Sequence, residues 1–255
     1  MLRGIDHLVI ACPDVDAAAA ELEAVLGLRA TGGGRHERLG TENRIVWLGD
    51  AYLELIGVVD PALAATSWVG VPTLRALEAG GGLATLALVT DDIAAEVERL
   101  RRHGAKLAGP IPGERRRPDG RVVRWQLATP TRLGPDEPPF LIEHDPASAE
   151  WAPAERTERA TEAHPAGGPV RLVGLEIPVE DVARVQGRYL HATALLFRPS
   201  LVGRGARDTS VGPHTIRLRP AVPGDRPTVR LELLGPGRAG TAELLGCRFV
   251  LAPGT

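Results

Sequence analysis

Apolar and polar positions along the chain repeat one arrangement. Gly4-Ile-Asp-His-Leu-Val-Ile-Ala11 and Gly82-Leu-Ala-Thr-Leu-Ala-Leu-Val89 are strand-length runs, each leading to an acidic turn (Asp14 and Asp16; Asp91 and Asp92) and then to a helical spacing. In the first copy the helix is predicted over residues 17–26, with Ala20, Leu22, Val25 and Leu26 apolar and Gly27 as its stop. In the second it runs to Arg102, with Ile93, Val97 and Leu100 facing inward and Gly104 beyond. Strands are predicted over 44–48 and 52–58, joined by Gly49-Asp50, a two-residue hairpin signal. They are predicted again over 121–129 and 139–144, the first entered through a turn at Pro118-Asp119-Gly120.

Two copies of a strand-helix-strands plan thus occupy residues 1–146, in units of about 1–60 and 82–146. Residues 147–169 are rich in Ala, Glu, Pro and Thr and show little apolar periodicity apart from Trp151, which reads as a linker or a surface-hugging connection. From residue 170 a third, degraded copy is expected: a strand over 170–179, an acidic turn at Glu180-Asp181, a helical stretch to 196, and strands over 214–219, 228–234 and 247–251. The expected fold class is α+β. Duplicated folds often place function where the copies meet, which directs attention to His7, Glu54 and Glu143.

Five segments carry a family resemblance: Ile5-Asp-His-Leu-Val-Ile10, Gly40-Thr-Glu-Asn-Arg44, Tyr52-Leu-Glu-Leu-Ile56, Arg124-Trp-Gln-Leu127 and Phe140-Leu-Ile-Glu143. Together they resemble the glyoxalase-like proteins of the vicinal oxygen chelate superfamily, related to glyoxalase and bleomycin-resistance proteins. The resemblance implies paired βαβββ modules whose mixed sheet curves around a cup, here followed by a third degenerate module. It also implies a divalent metal (Fe, Mn, Zn or Ni) held by His7, Glu54 and Glu143. Thr85 falls where the family commonly has a fourth ligand.

One imidazole and two carboxylates suit a hard or borderline cation with positions left open for a bidentate oxygen substrate. Such a centre polarises a carbonyl while Glu54 or Glu143 serves as catalytic base. Around it, the Gly32-Gly-Gly34 segment reads as a flexible loop that brings His36 to the rim of the cup, with Asn43 and Arg44 as contacts for substrate oxygens, or else as a plain loop before a strand. Arg124 and Trp125 must face opposite sides of their strand; Trp125 is expected in the cup wall, and Arg124 either meets an anionic substrate or forms a salt bridge. His144, next to Glu143, is expected on the far face. His103, His164, His191 and His214 are read as structural or exposed.

Net charge is −2 and the isoelectric point about 6.4, which offers nucleic acid or an anionic membrane no overall attraction. No apolar stretch is long enough to span a bilayer and no signal-like start is seen, so a cytoplasmic protein is expected. Cys12 and Cys247 sit in or beside apolar runs and are expected to be reduced and buried.

Two functions compete. One is a metal-dependent lyase, isomerase or epimerase acting on a small oxygenated substrate. The other is a metal-free binding or drug-sequestering protein whose cup is walled by Trp47, Tyr52, Trp125 and Phe140, although an aromatic content of 4% argues against a broad stacking surface. The third module either packs on the first two or completes a sheet in a homodimer.

Overall fold

The computed structural model describes residues 1–117, 119–222, 228–236 and 239–254, so Pro118 of the expected turn lies outside the described residues. The first half runs β1 (Leu2–Ala11), α1 (Val15–Leu26), β2 (Gly32–His36), β3 (Thr41–Leu48) and β4 (Ala51–Val58). Asp14 starts α1 by accepting hydrogen bonds from the Asp16 and Ala17 amides, and Gly27 ends it in the left-handed region at φ 65°. After two short helices, α2 (Pro61–Ala64) and α3 (Gly70–Glu78), the plan repeats. It gives β5 (Gly82–Thr90), α4 (Ile93–Arg102), β6 (Leu107–Arg116), β7 (Val122–Pro130) and β8 (Phe140–His144).

These strands form one mixed sheet in the order β2-β3-β4-β1-β5-β8-β7-β6. It is symmetric about the antiparallel β1–β5 pair, with β4 parallel to β1 and β8 parallel to β5. The sheet curls around an axis, as the half-barrel of paired βαβββ modules requires. Its two edges come together. Arg115 on β6 donates from Nη1 to the Gly33 carbonyl on β2 at 2.7 Å and from Nη2 to Glu150 Oε2 at 2.7 Å. A Cβ on Gly34 would lie 3.3 Å from the Arg116 carbonyl oxygen. The triple glycine is therefore part of a strand and not a flexible loop: it lets one sheet edge approach the other.

The strand expected from 170 onward becomes β9 (Arg171–Val179), followed by α6 (Val182–Thr193), β10 (Arg198–Pro199), β11 (Arg207–Val211) and β12 (His214–Pro220). This third module is complete in order, with β10 reduced to two residues. Beyond it, β13 (Val229–Gly235), β14 (Gly240–Leu244) and β15 (Cys247–Pro253) extend the same sheet, β10-β11-β12-β9-β13-β15-β14. β13 lies antiparallel to β9 and parallel to β15, the relations that β5 has to β1 and β8.

One buried cluster joins the two sheets. Leu8, Ile10, Leu22, Val97 and Leu100 from the first half share it with Leu175, Ile216, Leu231 and Phe249 from the second. Cys12 and Cys247 belong to this cluster as free thiols, and burial pushes both up to about 12. On the other face of the second sheet, Arg217 meets Asp208 at 2.9 Å, Glu176 at 3.6 Å and Glu232 at 3.7 Å. Among the described residues no helix is long and apolar enough to cross a membrane.

The segment expected as a linker is built into the wall. It carries the short helix α5 (Pro153–Ala160) and the buried residues Glu150, Trp151 and Arg159.

Gly33 sits at φ 137°, where an added Cβ would lie 2.3 Å from the Asn43 carbonyl oxygen. Gly33→Ala is expected to lower stability by about 1–3 kcal/mol in urea denaturation. Gly187→Ala, in α6 with nothing within 4 Å of the added Cβ, is expected to be neutral or stabilising by up to about 1 kcal/mol.

A candidate active site in the aromatic cup

Strand alternation decides which side chains enter the cup, and the β1–β5 ladder slips at three places, one of them beside the site. Ile5 pairs with Leu88 and His7 with Ala87, so Asp6 is an extra residue in the ladder. Such a bulge re-aims side chains. Asp6 and His7, adjacent in sequence, are both buried and in contact, with His7 Nδ1 2.6 Å from Asp6 Oδ1. The bulge is propped from the second sheet: the Ile5 amide donates to His214 Nδ1 at 3.0 Å.

Glu54 on β4 and Asn43 and His36 on β3 and β2 complete the polar end of the cup. Asn43 Nδ2 donates to Glu54 Oε1 at 2.6 Å. His7 Nε2 lies 3.5 Å from Glu54 Oε2, and His36 Nε2 4.0 Å from Oε1. His36 Nδ1 contacts Thr41 Oγ1 at 3.0 Å. Burial lowers the His36 pKa, assisted by the nearby Arg115 and opposed by Glu54, so the ring is neutral at pH 7.

A second histidine shares the buried carboxylate. His144 Nε2 lies 3.1 Å from both Asp6 oxygens, and its ring stacks on Trp151 at 3.3 Å. Burial opposes ionisation of Asp6, but the histidines around it outweigh that cost and hold it well below the usual carboxylate range. Burial in turn lowers the His144 pKa. An ionised Asp6 accepting N–H bonds from a neutral His144 and from His7 Nδ1 fits both directions. His7 then turns Nε2 toward Glu54.

The walls are aromatic. All four tryptophans of the chain, Trp47, Trp68, Trp125 and Trp151, line the cup with Tyr52 and Phe140. Low aromatic content did not mean a sparse cup, because these side chains are concentrated in it. The void is narrow: the space open to a water-sized molecule is about 50 Å³, well below the roughly 300–1,000 Å³ of typical small-molecule sites. Behind it, the buried Arg159 guanidinium stacks 3.6 Å from the Trp151 ring centroid and 4.5 Å from that of Trp47. Its nitrogens have no hydrogen-bond partner among the described residues.

Of the residues singled out from the sequence, His7, His36, Asn43, Glu54 and Trp125 line this one cavity, together with the expected wall residues Trp47, Tyr52 and Phe140. The others do not. Arg44 turns outward to Asp16 at 2.7 Å, and Arg124 is exposed. Thr85, in register with Val9, is buried behind the lining with its hydroxyl unpartnered among the described residues. Glu143 pairs across the sheet with Gln126 and accepts the Ile93 amide at 2.7 Å, capping α4 outside the cup. His144, paired with Trp125, takes the inward place. The two adjacent residues do face opposite ways, but with the sides exchanged.

The implied metal set therefore does not assemble. His7 and Glu54 remain without Glu143, Asn43 occupies one Glu54 oxygen, and among the described residues no three His, Cys, Asp or Glu side chains group as a metal site. Asp6, His144, Trp151 and Arg159 were missed: a bulge leaves no mark on apolar periodicity, and the last two lie in a segment without it.

The fold and cup define a protein of the vicinal oxygen chelate type. A family model described as a glyoxalase-like domain matches residues 5–193, and the chain belongs to that family. No curated protein matches the sequence. Among solved structures, a hypothetical protein from Staphylococcus aureus is similar over 99% of this chain and 100% of its own, at 16% identity and a TM-score of 0.80. A Streptomyces coelicolor methylmalonyl-CoA epimerase variant aligns with 56% of this chain and 97% of its own, at 23% identity and a TM-score of 0.43. For the Mycobacterium tuberculosis methylmalonyl-CoA epimerase the figures are 56%, 88%, 20% and 0.41.

Two outcomes are expected. Burial depresses the pKa values of His36, His144 and His214 in the folded chain. The unfolded chain then binds more protons below about pH 6.5, and stability falls as pH drops from 7 to 5, read as a declining melting temperature. Inductively coupled plasma mass spectrometry on tag-free protein should find divalent metal well below one equivalent per chain. Near-stoichiometric metal lost in His7→Ala would contradict the donor geometry.

Proposed function

We propose that this protein is an acid–base enzyme of the glyoxalase-like family, an isomerase or epimerase that moves a proton at a carbon beside a carbonyl in a small oxygenated substrate. The observation that carries this reading is the chain of contacts from Asp6 through His7 to Glu54, 2.6 Å and then 3.5 Å, at the closed end of an apolar cup. Burying these groups costs several kcal/mol unless they are paired. A cup that only sequestered apolar molecules would have no use for them.

Glu54 accepts the proton from the substrate carbon, and the bonding electrons pass to the carbonyl oxygen. Returning a proton to the same carbon on its other face completes epimerisation; returning it to the former carbonyl carbon, while the hydroxyl proton passes to the other oxygen, completes isomerisation. His7, oriented by Asp6, sits where it can exchange that proton with Glu54. The free thiols suit a reducing, cytoplasmic compartment.

A second reading, a metal-free sequestering protein, draws on the placement of all four tryptophans in the cup. Solvent exchange separates the two. In D₂O, the enzyme should wash deuterium into a panel of hydroxy-ketones and hemithioacetals, followed by proton NMR. Glu54→Gln should reduce that exchange at least about a hundredfold, the lower end of what a positioned general base contributes, while leaving the melting temperature near wild type. A wild-type protein that binds panel members with no exchange would support sequestration instead.

A further inference from the structure

The cup also carries information about what can enter it. Arg115 is the one arginine or lysine lining the cavity, and it is spent: one amino group bonds the Gly33 carbonyl and the other Glu150 Oε2, each at 2.7 Å. No free cation in the lining among the described residues is left to meet an anionic group. Arg124, which the sequence offered for that role, is on the outside.

The polar end is rich in acceptors. Asn43 Nδ2 is directed at Glu54 Oε1 at 2.6 Å, which fixes the orientation of the amide, since the opposite one would set its oxygen against the carboxylate. Asn43 Oδ1 is then left buried with no hydrogen-bond partner among the described residues. Glu54 Oε2 has His7 Nε2 at 3.5 Å, too long for a good bond. Glu54 Oε2 is therefore an acceptor of the lining without a close donor, and Asn43 on the same carboxylate keeps an unpaired oxygen, an arrangement that a donating ligand relieves.

The sides favour flat rings. Trp68 and Trp125 are partly exposed, while Trp47, Tyr52, Phe140 and Trp151 are buried. The faces of Tyr52, Trp151 and Trp47 already meet His7, His144 and Arg159, so a planar ring gains offset or edge contact chiefly with Trp68 and Trp125.

We infer that the cup takes a flat aromatic ligand whose polar end is an uncharged hydrogen-bond donor, a ring-bound hydroxyl or enol, directed at Glu54 and Asn43. This rests on the cup being the site where Glu54 works, and it narrows the substrate to ring-bearing hydroxy or enolisable carbonyl compounds.

The test is a matched series on one ring. 2-Naphthol has the ring and the donor, 2-methoxynaphthalene lacks the donor, 2-naphthoate adds a negative charge, and trans-2-decalol keeps the hydroxyl on a ring that is not flat. Binding is followed by tryptophan emission, which reports from the cup because all four tryptophans line it, and by titration calorimetry. The expected result is saturable one-to-one binding of 2-naphthol, with each of the other three at least tenfold weaker. Glu54→Gln should bring 2-naphthol close to the methoxy compound. Equal or tighter binding of 2-naphthoate, of the methoxy compound or of the decalol overturns the inference, as does the absence of saturable 2-naphthol binding. The wild-type series decides the matter even where the variant does not fold. 2-Naphthol offers no proton beside a carbonyl for Glu54 to remove, so its binding is independent of the deuterium-exchange result. Failure of the ligand class and failure of the acid–base reading are therefore separately visible.

Discussion

Approach of the two edges of the eight-stranded sheet is the constraint from which the cup follows. Edge strands ordinarily expose unpaired backbone groups. Here β2 and β6 turn toward each other, and Arg115 spans the gap to Gly33 while Glu150 fixes its other amino group. Glu150 takes a second arginine as well, Arg117 at 2.6 Å. A buried ion pair of this kind gains little net stability, but removing one partner leaves an uncompensated charge. The seam therefore specifies curvature more than it strengthens the fold. The curvature decides that side chains from β1, β3, β4, β7 and β8 converge on one space.

Much of this was legible in the sequence. The doubled pattern at Gly4 and Gly82, the acidic helix starts and the Gly27 stop became β1, β5, α1 and α4. His7 and Glu54 were placed in the cup by their match to the ligand positions of the resembled family, and Trp125 by the alternation of its strand; all three line it. The errors arose where local pattern underdetermines the face of a strand. Phe140 to His144 is a five-residue strand, too short and too uniformly apolar at its start to fix which alternate residue points inward, so Glu143 and His144 exchanged roles. The glycines at 32–34 carry no side-chain signal for a strand, and their role lies in contacts with a partner about eighty residues away. The bulge at Asp6 is invisible to periodicity, since an inserted residue on one strand is defined by the strand opposite.

Composition misled in one instructive respect. Few aromatic residues overall suggested a weakly stacking cup, yet every tryptophan lines it. Aromatic side chains elsewhere would add bulk to a core that leucine, isoleucine and valine already fill. The cluster joining the two sheets draws mainly on those residues, with Phe249, Tyr189 and Phe197 added.

The second sheet repeats the plan of the first, but where the first half gathers aromatics, Arg217 and its carboxylates occupy the face. Beyond the shared core, it reaches the candidate site through one imidazole. His214 takes the Ile5 amide next to the bulge, and a Cβ on Gly4 would lie 2.9 Å from its ring. The duplicated half in effect braces the backbone irregularity beside the site. A divided labour of this sort makes the two halves unequal targets for sequence drift. The supporting half is free to vary wherever its core volume is kept, except at the few positions through which it grips the strand that bears Asp6 and His7.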